Sequence, residues 1–464
     1  MYFKEALSIL SKSSPYSVST LRKGEDVDAQ QQLKDYLYIT PLIQLDFENA
    51  LLSANQNEIF CLCGSSGDGK SEILTKLYKN LSDKITFHLD ATHSQQQHKS
   101  AIDCLNEQFD KFKSNSNALA IGINIGMLQK FIKFGDNRHQ EIKDSFKEFL
   151  VNKHKKGFKD NNIRFYDFEC YPRLEFSENK VFSPFVYDFL QKLTAHSVDN
   201  PFWQYYQKCK DTYIKNNFKV LSEESFQLKL IELLGLVRLL DEQFLIPRLF
   251  VDFIFQILTL KNPDGIVSNV FKYFDNELSE SLTQLDPNHF RSEALDSFYL
   301  EFATNTLRPE FKNDIKTLTL LTGIDKLSPQ GIIQGIYLLG IKTPAKTFIN
   351  ETPLQKAFGY YLNLIQLYNQ TTLEQEDEEL YLNIIETLLI SSIFKYANRK
   401  LSFKIDNYIV SRQIKDFSIC NKTMIEIDLE WIETHQLLSI DTLPIPLIIN
   451  NEETFIFELD IIGI

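Results

Sequence analysis

The stretch that decides the fold is residues 58–81, EIFCLCGSSGDGKSEILTKLYKNL. Its first six residues form a short apolar run bounded by a glycine, which predicts a buried β-strand from Glu58 to Cys63. The next eight residues, GSSGDGKS, fit the pattern G-x-x-x-x-G-K-[ST]. From Ser71 to Leu81 the apolar residues recur at the spacing of one helix face. A strand, a glycine-rich turn and a helix in this order predict a P-loop, which binds the phosphates of a nucleotide.

Each residue type in this turn has a physical role in binding phosphate. The glycines allow backbone angles and a close approach that a Cβ would block. Backbone N–H groups can then turn inward to bind an anion, and the helix start adds its positive dipole end. We expect Lys70 to reach the β- and γ-phosphates of ATP, and Ser71 to place its hydroxyl on Mg²⁺. The candidate nucleotide-binding residues are Gly64, Ser65, Ser66, Gly67, Asp68, Gly69, Lys70 and Ser71.

Hydrolysis of ATP also needs an acid that holds Mg²⁺ or polarises water, normally at the end of a neighbouring buried strand. Asp90 is the first candidate for this catalytic and metal-binding role, because it follows the predicted strand 85–89. A strand-end turn or a helix cap is the alternative for Asp90. Asp167 and Glu169 are the other candidate acids. Asp252 lies in the middle of a predicted helix, and we expect it to face outward.

Two further polar residues are candidates. Asn124, in AIGINIGML, could act in catalysis by orienting the attacking water beside the γ-phosphate, or it could bond to neighbouring backbone at a strand end. Arg248 follows Pro247 at the start of a predicted helix. In a helical lid it could touch the γ-phosphate of the nucleotide, and an ordinary surface or ion-paired arginine is the alternative.

Short apolar runs recur after the turn, separated by helix-like stretches. They predict strands over 85–89, 119–125 and 163–168. Strands that alternate with helices are typical of a parallel sheet with both faces covered. From 182 to 399 the pattern is mostly helical, with two helices divided near Pro247, and the tail returns to β-rich runs such as ETFIFELDIIGI.

The sequence therefore predicts an α/β P-loop NTPase core with a mostly parallel sheet, followed by a helical region and a C-terminal β-containing region. The expected bounds are 1–56 for an N-terminal helical segment, 57–200 for the core, 201–400 for a helical lid and helical region, and 401–464 for the C-terminal region.

Charge limits the partners that this chain can bind alone. It has 49 basic and 62 acidic residues among 464, a net charge of −13. Such a chain is not a self-sufficient nucleic-acid binder, because neutralising phosphates needs a surplus of Lys and Arg. Ten basic and five acidic residues lie between Lys130 and Arg164. They could form a local patch, and a solvated helical face is the preferred interpretation.

The spacing of the cysteines and the length of the apolar segments argue against a metal–thiolate site, a disulfide framework and a membrane span. The six cysteines are scattered, without CxxC pairs or zinc spacing, so neither a metal–thiolate site nor a disulfide framework is expected. Cys61 and Cys63 lie in the predicted strand and are expected to act as small hydrophobic residues. No apolar stretch is long enough to span a bilayer, and the N-terminus lacks a signal core, so we expect a cytoplasmic protein without membrane contact.

Three segments carry a resemblance to a known family: CGSSGDGKSEIL at 63–74, HLDATHS at 88–94 and GINIGML at 122–128. With EALSILSKSSPYSVSTL and LKDYLYI before them, they resemble, in order and spacing, the DptF family of DNA phosphorothioation-dependent restriction proteins. The resemblance is concentrated in residues 1–130. It implies a bacterial defence system that acts with two partner proteins, DptG and DptH, on DNA that lacks the sulfur modification. The nucleotide-binding role then carries over to residues 64–71.

The first functional interpretation is therefore an ATP-binding and ATP-hydrolysing subunit of such a system, with DNA contacted mainly through the partners. The alternative is a nucleotide-gated scaffold that organises partners with little or no hydrolysis. A P-loop kinase is less favoured, because the long helical half exceeds what a small kinase needs. The sequence shows no PD-(D/E)xK-like or HNH-like cluster, so we do not expect this chain to cleave DNA. A homo-oligomer is left open.

Overall fold

The structure is a computed structural model of the chain. It describes residues 2–15, 29–89, 100–115, 117–152, 155–177, 180–241, 244–290, 292–341, 353–369, 375–399, 401, 407–414, 417–435, 442–450 and 454–461.

An α/β unit occupies the first part of the chain. The elements of this part are α1 (Phe3–Leu7), α2 (Ala29–Leu37), α3 (Leu42–Leu52), β1 (Ile59–Cys63), α4 (Lys70–Leu81), β2 (Ile85–His88), α5 (Ala101–Ser114), β3 (Ala118–Ile123), α6 (Ile125–Phe134), α7 (Gln140–Val151), β4 (Lys159–Asp160) and β5 (Ile163–Asp167). Of these helices, α3 to α7 pack on the sheet, whereas α1 and α2 pack into the core of the helical region that follows. The five strands form one sheet in the order β2-β3-β1-β5-β4. All neighbours are parallel except β4 and β5, so the predicted mostly parallel sheet is confirmed.

The central strand β1 contributes side chains to the cores on both faces of the sheet. Every residue of IFCLC is buried, and successive side chains of a strand point to opposite faces of the sheet. Ile59, Cys61 and Cys63 pack against α5, α6 and α7, whereas Phe60 and Leu62 pack against α3 and α4. Cys61 and Cys63 are therefore core residues, as predicted, and burial raises the pKa of both thiols.

Register places three strand ends together at the carboxyl edge of the sheet. Cys63, the last residue of β1, pairs with Ile123 of β3 on one side and with Asp167 of β5 on the other. The glycine-rich turn, residues 64–71, leaves β1 at this edge. In an open α/β sheet, ligands bind outside the carboxyl ends of the strands. The candidate site is therefore built here.

The next part of the chain is predominantly helical, as predicted. Its elements are β6 (Glu175–Ser177), β7 (Lys180–Phe182), α8 (Pro184–Thr194), α9 (Pro201–Gln207), α10 (Thr212–Leu221), α11 (Glu224–Leu240), α12 (Pro247–Thr259), α13 (Ile266–Asn269), α14 (Glu277–Gln284), α15 (Glu293–Ala303), α16 (Pro309–Thr322), α17 (Pro329–Leu339), α18 (Pro353–Asn369), α19 (Gln375–Ile384) and α20 (Ser391–Ala397). A π-helical stretch, Ile385–Ile390, joins α19 to α20. The expected division near Pro247 is found between α11 and α12, where proline occupies a first-turn position.

The tail is β-rich, as predicted. Its elements are β8 (Tyr408–Ile414), β9 (Phe417–Lys422), β10 (Ile425–Ile427), α21 (Leu429–Thr434), β11 (Leu443–Ile449) and β12 (Thr454–Leu459). β8 and β9 form a hairpin, and β10, β11 and β12 form an antiparallel sheet. Leu443, Ile445 and Leu459 join the core of the helical region. Within the described ranges, no helix combines the length and apolar character needed to cross a bilayer.

Candidate functional site

The glycine-rich turn opens directly into α4. Gly67 and Gly69 have φ values of 91° and 102°, a region that glycine adopts without strain. A Cβ at Gly69 would meet nothing within 4 Å, so glycine is needed there for its backbone angle and not for space. Gly69 is the N-cap residue of α4, and no side chain accepts a hydrogen bond from the helix there. Because the first N–H groups of a helix have no partner within it, this end of α4 can bind an anion.

Lys70 lies against the turn that precedes it. Its Nζ donates hydrogen bonds to the carbonyl oxygens of Gly64 at 3.0 Å and Ser65 at 2.6 Å. Ser71 follows on the first turn of α4 and is half-buried, whereas Ser65 and Ser66 are exposed. The turn thus combines backbone N–H groups, one ammonium and three hydroxyls, which is the donor set that phosphate oxygens need.

The side chain of Asp68 supports the turn from behind. One of its oxygens accepts the backbone N–H of Ser65 at 2.6 Å, and the other accepts Arg173 Nη1 at 3.1 Å. Arg173 also donates to the carbonyl oxygens of Asp68, at 3.0 Å, and of Leu245, at 3.2 Å. Burial lowers the pKa of Arg173, and the carboxylate of Asp68 opposes that shift. One guanidinium therefore joins the turn to the chain segment that leads into α12.

Sequence reasoning missed Arg173. It lies in the segment between β5 and β6, and 105 positions separate it from Asp68. No local pattern marks it, because its partners come together only when the sheet and the helical region pack. Its guanidinium also lies 5.1 Å from the ring centre of Phe168. A Cβ on Gly64 would approach the same ring to 2.8 Å, so Phe168 holds the start of the turn from below.

Among the predicted acids, the structure brings Asp167 to the turn. Asp167 ends β5, pairs in register with Cys63 and is 2% exposed. Burial raises the pKa of Cys63, the charge of Asp167 raises it further, and Lys70 acts in the opposite direction. Carboxylate and ammonium thus both lie close to the end of β1. Asp167 Oδ1 accepts the backbone N–H of exposed Glu169 at 3.2 Å.

Asp90 lies outside the described residues. The strand that leads to it, β2, is separated from β1 by β3. Asn124 lies just after β3 and forms the N-cap of α6, where its side chain accepts the N–H of Met127 at 2.6 Å. The strand ends at Ile123, two residues earlier than predicted. Bonding to neighbouring backbone, one of the two interpretations of Asn124, is what the structure shows.

Arg248 lies beside the turn. A Cβ on Gly67 would come within 3.0 Å of Ile246 Cγ2 and 3.4 Å of Arg248 Cβ, so the start of α12 rests on the turn. The side chain of Arg248 is exposed, and its Nη2 donates to the carbonyl oxygen of Lys12 at 3.4 Å. The glycine-rich turn, α12 and the N-terminal segment therefore meet at Arg248.

The expectation that Asp252 faces outward is wrong. Asp252 is 0% exposed and accepts the backbone N–H of Lys12 at 2.7 Å and the amide of Asn276 at 3.2 Å. The helix pattern is misleading because Asp252 shares one polar stripe of α12 with Arg248 and Gln256, and such a stripe usually faces solvent. Here the N-terminal segment covers the stripe, a contact between distant parts of the chain that the helix pattern does not reveal. Asp252 fastens the N-terminal segment to α12.

A cavity of about 220 Å³ lies beside the turn. Gly67 and Gly69 border it, and its walls are largely apolar. Leu10, Leu37, Phe185, Phe189 and Val251 contribute to these walls. An ion pair between Lys34 and Glu72, at 2.6 Å, lies at its edge. A concave apolar surface next to convergent polar groups is the usual form of a small-molecule site.

The residues present fit a magnesium–nucleotide complex. Ser71 and Asp167 carry oxygen atoms of the kind that Mg²⁺ prefers as ligands, so they would hold the ion. In the part of the chain that the structure describes, no three His, Cys, Asp or Glu side chains converge as a metal site.

Most basic side chains between Lys130 and Arg164 are already engaged. The ion pairs are Arg138 with Asp110 and Asp136, Lys147 with Asp144, and Lys159 and Arg164 with Glu58. Lys143 is buried and donates to the carbonyl oxygen of Gly135. Lys155 and Lys156 are exposed, and Lys153 lies outside the described residues. This pattern agrees better with a solvated helical face than with a continuous basic patch.

Comparison of this chain with protein-family models, with curated proteins and with solved structures gave no match. The functional argument therefore rests on the sequence and on the site itself. That site is a glycine-rich turn with one lysine at a helix start, with an apolar cavity on one side and a buried carboxylate at the adjacent strand end.

Proposed function

We propose that this chain binds ATP with Mg²⁺ as a P-loop protein. The observation that carries the proposal is the turn 64–71. Two glycines at positive φ lead into a helix start with no side-chain cap, and the ammonium of Lys70 lies against the same turn. The apolar cavity beside Gly67 would bind the base of the nucleotide, because its walls would shield the flat ring from water.

The residues of the site have different proposed roles, which follow from where they lie. Backbone N–H groups of the turn and of the first turn of α4 hold phosphate oxygens, and Lys70 neutralises their charge. The hydroxyl of Ser71 would hold Mg²⁺, and the ion would supply positive charge to the phosphates. Asp167, at the adjacent strand end, would orient water or help to hold the metal. Arg248, at the start of α12, couples the position of the helical region to the phosphates.

We further propose that the chain hydrolyses ATP as a motor or switch. A nucleotide-gated scaffold with little or no hydrolysis is the second candidate, because Asn124 and Asp167 both bond to neighbouring backbone. Turnover measured with and without DNA and partner proteins separates the two. A motor accelerates when they are added, whereas a scaffold binds ATP and stays slow.

The resemblance of residues 1–130 to the DptF family supports a role in restriction of DNA that lacks phosphorothioate modification. The chain would then be a cytoplasmic subunit that acts with DptG-like and DptH-like proteins. Its net charge of −13 supports DNA contact mainly through those partners, and a separate subunit would cleave the DNA.

The test of nucleotide binding is a calorimetric titration of Mg·ATP into the full chain. We expect one ATP to bind per chain and to raise the melting temperature, because a ligand that binds only the folded state stabilises it. A folded protein that gives no heat and no thermal shift with excess Mg·ATP would contradict the proposal.

The catalytic acid can be identified by isosteric substitutions. We expect either Asp167→Asn or Asp90→Asn to lower turnover about a hundredfold while ATP affinity stays within about twofold, because shape is preserved and charge is lost. Glu148→Gln, the same isosteric change at an exposed residue of α7, is the matched control and should leave turnover unchanged. Normal hydrolysis by both aspartate variants would place the acid elsewhere.

DNA binding by the isolated chain should be weak, steeply dependent on salt and indifferent to sequence. Like charges oppose association, but this repulsion is screened beyond about 8 Å at physiological salt. We expect Lys155→Glu with Lys156→Glu to weaken residual binding and to flatten its salt dependence, without changing ATP affinity. Lys312→Glu with Lys316→Glu, an exposed pair on α16, is the control with the same charge change. Tight, salt-insensitive binding in a fluorescence titration would contradict this expectation.

A further inference from the structure

Strand β12 exposes large apolar side chains on both of its faces. Phe455, Ile456 and Phe457 are 52%, 45% and 40% exposed, although they are consecutive in one strand. Natural edge strands usually carry lysine, proline or a bulge that blocks pairing with another chain. β12 reads TFIFEL, with Glu458 as its one charged residue and no proline. Its surface chemistry is that of a strand that pairs.

The neighbouring strand shows which backbone groups of β12 are directed outward. Pro446 lies opposite Ile456 in β11, and the carbonyl oxygen of Pro446 accepts the N–H of Asp428, on the β10 side. Because successive residues of a strand direct their backbone groups to opposite sides, Pro446 faces away from β12. The pair Pro446–Ile456 is therefore not hydrogen-bonded, and Ile456 directs its N–H and C=O away from β11.

The same alternation applies along the whole strand. Thr454 and Glu458, two residues to either side of Ile456, also direct their backbone groups away from β11. Among the described residues, the sheet ends at β12, in the order β10-β11-β12. The outer edge of β12 thus presents three residues with parallel N–H and C=O groups, spaced as one antiparallel partner requires.

We propose that β12 pairs antiparallel with β12 of a second copy of this chain, about a two-fold axis at Ile456. In that register Ile456 meets its own copy in a hydrogen-bonded pair. Phe455 meets Phe457 twice, and aromatic cross-strand pairs are stabilising. Glu458 lies opposite Thr454, so the strand's one charge does not meet itself. The two three-stranded sheets become one continuous sheet of six strands.

A second copy fits this edge better than an unrelated strand, because the sequence of β12 is complementary to itself in this register. A one-residue slip would place Phe455 opposite Ile456 and remove the aromatic pairs, so the register is specified by the side chains. The net charge of −13 opposes association at long range, but it is screened beyond about 8 Å at physiological salt. The dimer should therefore strengthen as salt rises.

Sedimentation of the full chain over a range of concentrations tests the proposal. We expect a reversible monomer–dimer equilibrium that Ile456→Lys shifts at least tenfold toward monomer, because two ammonium groups would meet at the axis. Leu320→Lys, at an exposed leucine of α16, is the control and should sediment like the unmodified chain. A chain that stays monomeric throughout, or a dimer that Ile456→Lys leaves intact, would overturn the proposal.

Crosslinking reports the register independently. Hydrogen-bonded antiparallel pairs have Cα atoms about 5.5 Å apart, within the range of a disulfide. We expect Ile456→Cys to form an intermolecular disulfide at position 456, identified by mass spectrometry of the linked peptides. Phe457→Cys should link to itself far less, because its copy lies two residues out of register. Equal crosslinking at both positions, or none at 456 in a chain that dimerises, would overturn the pairing.

Discussion

Replacing Lys70 by alanine is expected to lower ATP affinity at least about tenfold and kcat/KM about a thousandfold. The first factor comes from losing one ammonium at the phosphates, and a tenfold change corresponds to about 1.4 kcal/mol. The second comes from charge stabilisation in the reaction, where one preorganised donor is commonly worth about a hundredfold. Calorimetry and steady-state kinetics measure the two effects separately.

The fold should tolerate the change at Lys70. The ammonium contacts two carbonyl oxygens of the turn, of which Ser65 is exposed, so water can replace it. Lys79→Ala, at an exposed lysine in the last turn of α4, is the matched control, and we expect it to bind ATP normally. If Lys70→Ala bound ATP as well as the unmodified chain, with the same melting temperature, the assignment of the turn would be wrong.

The sequence predicted the sheet well because its signals are local. IFCLC reads as a strand that is buried on both faces, and the next eight residues require glycine where the backbone has positive φ. The alternation of strands and helices then limited the core to a mostly parallel sheet. Boundaries moved by one or two residues, as at Asn124, where the last strand residue and the helix cap share the same apolar run.

The candidate site was only partly predictable, since several of its groups act through partners that are distant in sequence. Asp252 is held by Lys12, 240 positions away, and a helix pattern cannot reveal such a partner. Asp167 was one of two alternative acids, and only the register of β1 with β5 shows that it lies beside Cys63. Arg248 was a candidate for contact with the γ-phosphate because a proline marked the helix start, with an ordinary surface arginine as the alternative, and only the packing of α12 shows that it lies beside the turn.

Arg173→Met is expected to destabilise the fold by about 3–5 kcal/mol, the usual cost of removing one partner from a buried ion pair. Arg173 and Asp68 are largely buried, with side chains 15% and 9% exposed. Methionine keeps much of the apolar stem, but Asp68 Oδ1 and the carbonyl oxygens of Asp68 and Leu245 lose the N–H groups that Arg173 donates. Denaturant unfolding measures the loss in free energy, and calorimetry should show weaker ATP binding because the turn is less well held.

A double substitution separates the ion pair from general packing at this position. Adding Asp68→Asn to Arg173→Met removes the uncompensated charge, so the double variant should be less destabilised than the sum of the two single variants. Arg138→Met is the matched control, since its ion pairs with Asp110 and Asp136 are exposed and such pairs contribute about 1 kcal/mol or less. Equal losses at Arg138 and Arg173, or strict additivity with Asp68→Asn, would mean that the guanidinium of Arg173 does not hold the turn through Asp68.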